Sequence, residues 1–140
     1  MATALHISTG IEELVLNEKV HIFLNPADPT FAKLLFTKFS ALEEEDRAWR
    51  ERMKDLQDPK AVMEEWDTGD KMFRAAIDGV LGEGTCEALI GGTSVLALAD
   101  GLPIWANILL AIIEQMDDAL TRQEKTVNPK LQKYMSKYHK

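Results

Sequence analysis

The chain has 140 residues, 46% of them apolar, a size and composition suited to one domain with a real core rather than to a disordered segment. Formal net charge is -7, and it is uneven: residues 125–140 hold five of the 16 bases and no acid, so residues 1–124 carry 23 acids against 11 bases, a balance of -12. An acidic body repels nucleic acid and anionic membranes, and a single cysteine, Cys86, excludes an internal disulfide and any metal site built on cysteine pairs.

The N-terminus, MATALHISTG, lacks a basic stretch followed by an apolar run, so no signal peptide is expected and the cytoplasm is the expected compartment. Residues 4–24 favour strands. ALHIS alternates weakly, and Leu14, Val15 and Leu16 are separated from Val20, Ile22 and Phe23 by Asn17-Glu18-Lys19. That pattern predicts a hairpin, with Gly10 marking another turn, hence a meander of two or three strands. Pro26 ends the sheet.

Asp28-Pro29 is an N-cap followed by a first-turn proline. It predicts a helix whose apolar face is Phe31, Leu34, Leu35, Phe39, Leu42, Trp49, Met53 and Leu56. The opposite face carries Glu43 to Asp46, then Arg47 and Arg50, read as a solvated face with Glu43–Arg47 and Asp46–Arg50 pairs. Asp58-Pro59 repeats the start signal. The second helix has Val62, Trp66, Phe73, Ile77, Val80 and Leu81 on one stripe, and Gly69 shares it. A glycine there costs helix stability, which predicts either close backbone approach or a kink.

GVLGEGTCEALIGG, Gly79 to Gly92, is the segment that invites a chemical reading. A phosphate loop needs a preceding strand and a lysine followed by Ser or Thr. Here the preceding segment reads as helix, no lysine lies between Lys71 and Lys125, and Glu83 and Glu87 would repel phosphate. Cys86 or Ser94 as nucleophile would need an adjacent base, and the three histidines (His6, His21 and His139) lie elsewhere in the sequence. They show no metal-ligand spacing, and no carboxylate pair stands out. The expected reading is a chain reversal: Thr85 caps a short helix through Ile90, and Gly91-Gly92 end it. No catalytic, cofactor-binding or metal-binding residue is expected.

Val95 to Ile113 is apolar enough to invite a membrane-span reading, but Asp100, Gly101 and Pro103 interrupt it. The unbroken part, Leu102 to Ile113, is shorter than the ~20 residues a span needs. It reads as the start of a third long helix at Pro103, with a stripe of Trp105, Ile108, Leu109, Ile112, Ile113, Met116 and Leu120. Asn128-Pro129 repeats the start signal. Leu131, Tyr134, Met135 and Tyr138 follow at i, i+3, i+4 and i+7, with Lys130, Lys133, Lys137 and Lys140 on the remaining face. This basic amphipathic segment is either a final helix docked on the acidic body or an arm that binds a partner. Leu131, Tyr134, Met135, Tyr138, Lys130, Lys133 and Lys137 are the candidate partner-binding residues.

The expected architecture is a mainly helical α+β domain: an N-terminal hairpin or short meander, a bundle of three long helices, short helices around the glycine-rich loop, and an amphipathic tail helix. Residues 1–126 form the expected globular unit (1–25 sheet, 26–126 helical), and 127–140 form the tail.

Taken in order, LNEKVHIFLNPADPTFAKLLF (16–36), IDGVLGEGTCEALIGG (77–92) and GLPIWANILLAIIEQM (101–116) resemble the small tail assembly chaperones of long-tailed bacteriophages and prophages of the Firmicutes type. The departure is Val80-Leu81-Gly82, where that pattern has an aromatic before the glycine. The resemblance implies a non-enzymatic cytoplasmic protein that keeps the tape-measure protein soluble while tail-tube subunits assemble around it. The tape-measure protein is then the partner, with the tail-tube protein a second candidate, self-association open, and nucleic acid and membrane excluded. Six methionines suit an adaptable apolar binding surface. Two alternatives remain: a phage structural subunit, such as a head–tail connector or tube-associated protein, and an enzyme of unknown type.

Overall fold

The computed structural model describes the backbone of residues 1–138 and the side chains of residues 1–123. The chain is mainly helical, with a small antiparallel hairpin near its N-terminus. Strand β1 (Glu12–Leu16) pairs with β2 (Val20–Leu24) in the register Leu14↔Ile22 and Leu16↔Val20. The turn needs positive φ at both Asn17 and Glu18, and Lys19 N donates to Leu16 O at 3.0 Å. This is the tight reversal that matches strand twist, built here with a glutamate where glycine is the easier residue. Alternation then sorts the faces. Val20 and Ile22 are buried, with Leu14, Leu16 and Leu24 packed against the core, while Val15 and Phe23 face outward.

The meander stops at two strands. Residues 1–11 form no ladder and are exposed, Leu5 and Ile7 included. Alternation over ALHIS was a real β signal, but a strand exists only where an edge pairs with it. The chain is instead tied down at its far end, where Asn25 Nδ2 donates to Thr9 O at 2.9 Å, and Gly10 beside it adopts a positive φ of 72° that favours glycine.

Helix α1 (Pro29–Met53) starts where Asp28 accepts from Thr30 N at 2.9 Å, and α2 (Pro59–Leu81) where Asp58 accepts from Lys60 N at 3.3 Å. The buried positions of α1 are Leu35, Leu42, Asp46 and Trp49, so its inner face lies slightly off the expected stripe. Leu34 is exposed, and a carboxylate is inside. On α2, Gly69, Phe73 and Ile77 are buried, whereas Trp66 lies at the margin, edge-on to Trp49 with centroids 4.3 Å apart.

Gly69 is the close approach. A Cβ there would stand 3.0 Å from Leu96 Cδ1 and 3.2 Å from Trp49 Nε1, both on fully packed neighbours. Gly69→Ala gains about 1 kcal/mol of helix propensity, but overpacking a well-filled core costs about 1–3 kcal/mol. The expected net is a lower urea midpoint with unchanged slope; a raised midpoint would show that the neighbours yield freely.

After α3 (Thr85–Ile90) comes an irregular loop, residues 91–97, then β3 (Leu98–Ala99) and β4 (Leu102–Pro103), a minimal hairpin. Asp100-Gly101 was expected to lead into a helix. Both residues have positive φ and form the reversal of this hairpin instead. Helix α4 follows (Ile104–Tyr138). Its assigned span passes through Asn128-Pro129, so these residues do not open a separate tail helix. Leu120, expected in its apolar stripe, is 39% exposed, while Trp105, Leu109, Ile112 and Met116 are buried between α1 and α2. Trp105 is the centre of an aromatic cluster, 5.6 Å from both Phe39 and Phe73. Among the described residues no helix is long and apolar enough to cross a membrane.

Candidate partner-binding groove

The glycine segment is a chain reversal held by acidic side chains from α2. Gly82 ends α2 at φ 124°, and Gly84 precedes α3 at φ 81°. Thr85 does not cap α3. It is the buried first residue, and its hydroxyl donates to Gly82 O at 2.7 Å. The cap comes from Asp78, whose two carboxylate oxygens accept from Gly84 N at 3.2 Å and Cys86 N at 3.0 Å. The free amides at the start of α3 are thus answered from within the chain.

Cys86 is buried beneath this cap. Burial and the Asp78 carboxylate push its thiol up from 9.0 to about 12. A thiol held neutral is a poor nucleophile at neutral pH. Alkylation by iodoacetamide at neutral pH is therefore expected to be limited by unfolding. The linked stability follows the same sign. It is fully present below the unfolded thiol's ordinary value and is lost as pH rises from about 9 through about 12. Fast alkylation of the folded chain would contradict the assignment.

Two Asp–Arg pairs, each one helical turn apart, fasten the 91–97 loop. On α2, Asp70 accepts from Val95 N at 2.8 Å and pairs with Arg74 at 3.1 Å. Arg74 in turn donates to Gly91 O at 2.6 Å and to Thr93 O, and reaches Glu87 at 3.4 Å. On α1, Asp46 pairs with Arg50 and accepts from Trp105 Nε1 at 2.6 Å, while Arg50 donates to Leu96 O at 3.3 Å. Asp46 is only 6% exposed, which corrects its expected place on a wet face. Arg47 also differs from expectation, pairing with Glu44 rather than Glu43. These charged groups are committed to backbone and side-chain partners that fix the fold.

The other chemical candidates are scattered. Ser94 Oγ accepts from Leu96 N at 3.1 Å; His21 pairs with Glu13 on the exposed face of the hairpin; His6 is exposed in the N-terminal segment. Among the described residues no cluster of three or more His, Cys, Asp or Glu has a metal-binding arrangement.

What the fold does assemble is an apolar groove of about 480 Å³ between the hairpin, α3, β3 and α4. Val15 and Leu16 line it from β1, Leu89 and Ile90 from α3, and Ile104 and Ile108 from α4. Asn17 and Asn107 contribute its polar groups. Lys19 ties two of these elements together, donating from Nζ to Leu89 O at 3.3 Å. Around it the exposed apolar surface continues. Val15 is 48% exposed, and Leu98, beside the lining residue Ala99, is 66% exposed. Concave apolar surface with sparse, placed polar groups is what a protein partner or ligand buries. The sequence did not mark this groove, because its residues come from four separate segments. Of the seven expected partner-binding residues (Lys130, Leu131, Lys133, Tyr134, Met135, Lys137 and Tyr138), every side chain lies outside the described residues.

No protein-family model, curated protein or solved structure significantly matches the chain.

Proposed function

We propose that this chain is a non-enzymatic tail assembly chaperone of a long-tailed phage or prophage, which holds the tape-measure protein soluble during tail-tube assembly. The observation that carries the reading is the apolar groove on an acidic body. A tape-measure protein is long and helical with apolar stripes, and an amphipathic helix binds by laying its apolar residues into such a groove. The acidic body keeps the chaperone itself soluble. The order and spacing of the three segments that resemble this family support the same reading. So does the use of the glycine segment's polar groups, which are spent on capping α3 and tying down the loop.

Co-expression with a phage tape-measure protein tests the proposal. The expected result is a raised soluble yield and a complex that survives purification. Val15→Asp, which puts a charge at an exposed lining position, is expected to weaken the complex by about tenfold or more. A tape-measure protein equally soluble alone, with no complex at about micromolar concentration, overturns it. Recovery of this chain as a stoichiometric component of finished virions would favour a structural subunit instead.

A further inference from the structure

We infer that the groove is also a self-association site, occupied by the basic C-terminal segment, residues 125–140, of a second copy of this chain. The inference rests on the groove and on charge, and not on the chaperone reading. The groove's lining residues are flanked by acids. Glu18 follows the lining Asn17, Asp100 follows the lining Ala99, and Glu114 is about one helical turn beyond the lining Ala111; all three are exposed. The flanking base Lys19 is already engaged with Leu89 O. Against this rim, residues 125–140 offer five lysines and no acid, while residues 1–124 carry a balance of -12. The same segment has Leu131, Tyr134, Met135 and Tyr138 at i, i+3, i+4 and i+7, the spacing of a single apolar stripe. An apolar stripe bordered by lysines is complementary to an apolar groove bordered by carboxylates.

The occupant comes from another copy because of where α4 runs. Ile104 and Ile108, at the start of α4, line the groove, and the helix continues to Tyr138. Leu131 is 23 residues beyond Ile108, which places it about 35 Å further along the helix axis. A chain cannot fold that segment back onto its own groove without breaking α4, but a second molecule can present it. Each copy carries both halves of the contact, so the exchange can be reciprocal and close as a dimer. A helical partner of the groove then competes with the tail, and self-association falls as partner binds.

The test uses the full chain in sedimentation velocity, from about 5 to 200 µM, at about 50 mM and 500 mM salt. The expected result is concentration-dependent association, weakened about tenfold or more by the higher salt. Lys130→Glu/Lys133→Glu/Lys137→Glu is expected to abolish it. So is Ala111→Arg, which fills an exposed lining position of α4. A mixture of the tail-reversed chain with a Glu18→Lys/Glu114→Lys chain, which reverses two rim acids and leaves the lining unfilled, is expected to recover part of the association, since the charges then match in one direction. A monomer throughout at low salt overturns the inference. Association that survives tail reversal overturns it too, as does association lost on tail reversal but untouched by Ala111→Arg, which places the tail elsewhere. Because tape-measure binding is read separately by co-expression, either conclusion can fail alone.

Discussion

Asp46→Ala is expected to lower folding stability by about 3 kcal/mol, seen as a urea midpoint reduced by about 1–2 M with little change in slope. The carboxylate is buried, pairs with Arg50 on its own helix and accepts from the Trp105 indole on α4. Alanine leaves the indole N–H without an acceptor in the middle of an aromatic cluster. An unsatisfied buried donor costs about 1–3 kcal/mol. It also frees Arg50 from its partner, although that side chain is 37% exposed and water can solvate it, which keeps the loss at the lower end for a broken buried pair. Asp46→Asn keeps an acceptor for Trp105 but loses the charge, so roughly half the cost is expected. A loss under about 0.5 kcal/mol for the alanine variant would return Asp46 to the class of surface ion pairs.

That residue also shows where the sequence stopped being informative. A Glu-Glu-Glu-Asp run followed by arginines reads as a solvated face, and for Glu44 with Arg47 the reading holds, since both are well exposed. Asp46 differs only because a helix 59 residues later delivers an indole to it. Long-range partnerships of this kind leave no local signature. Local chemistry was legible. The Asp-Pro starts of α1 and α2, the hairpin about Asn17 and the close packing at Gly69 all follow from rules acting within a few residues or on one stripe. The Asp100-Gly101 reversal was missed because its strands are two residues each, too short to show alternation. Thr85 was the capping type at the start of the short helix, yet the amides are taken by the stronger acceptor Asp78, seven residues earlier on α2 and brought there by the reversal. The groove was hidden for the same reason as Asp46, its walls being brought together from β1, α3, β3 and α4 only by the fold.

Arg74→Ala is expected to have the largest single effect, a loss of about 3–5 kcal/mol. Its guanidinium is mostly buried and serves Asp70, Glu87 and the carbonyls of Gly91 and Thr93 together. Removing it strands Asp70, a mostly buried carboxylate left with only the Val95 amide, and deprives two loop carbonyls of their donor. The loop carries Val95 and Leu96 into the core, and Leu96 is one of the neighbours that Gly69 packs against. Loosening the loop therefore loosens the α1–α2 contact as well. Arg74→Lys tests whether charge or geometry matters. An ammonium keeps the charge beside Asp70 but lacks the planar fork that spans two carbonyls and two carboxylates, so only partial rescue is expected. Amide hydrogen exchange separates local from global effects. In both variants the amides of Val95 and of Trp105, which donates to Val95 O, are expected to lose protection beyond what the fall in global stability accounts for. Full rescue by lysine, or protection falling uniformly along the chain, would show that Arg74 contributes only charge and does not hold the loop.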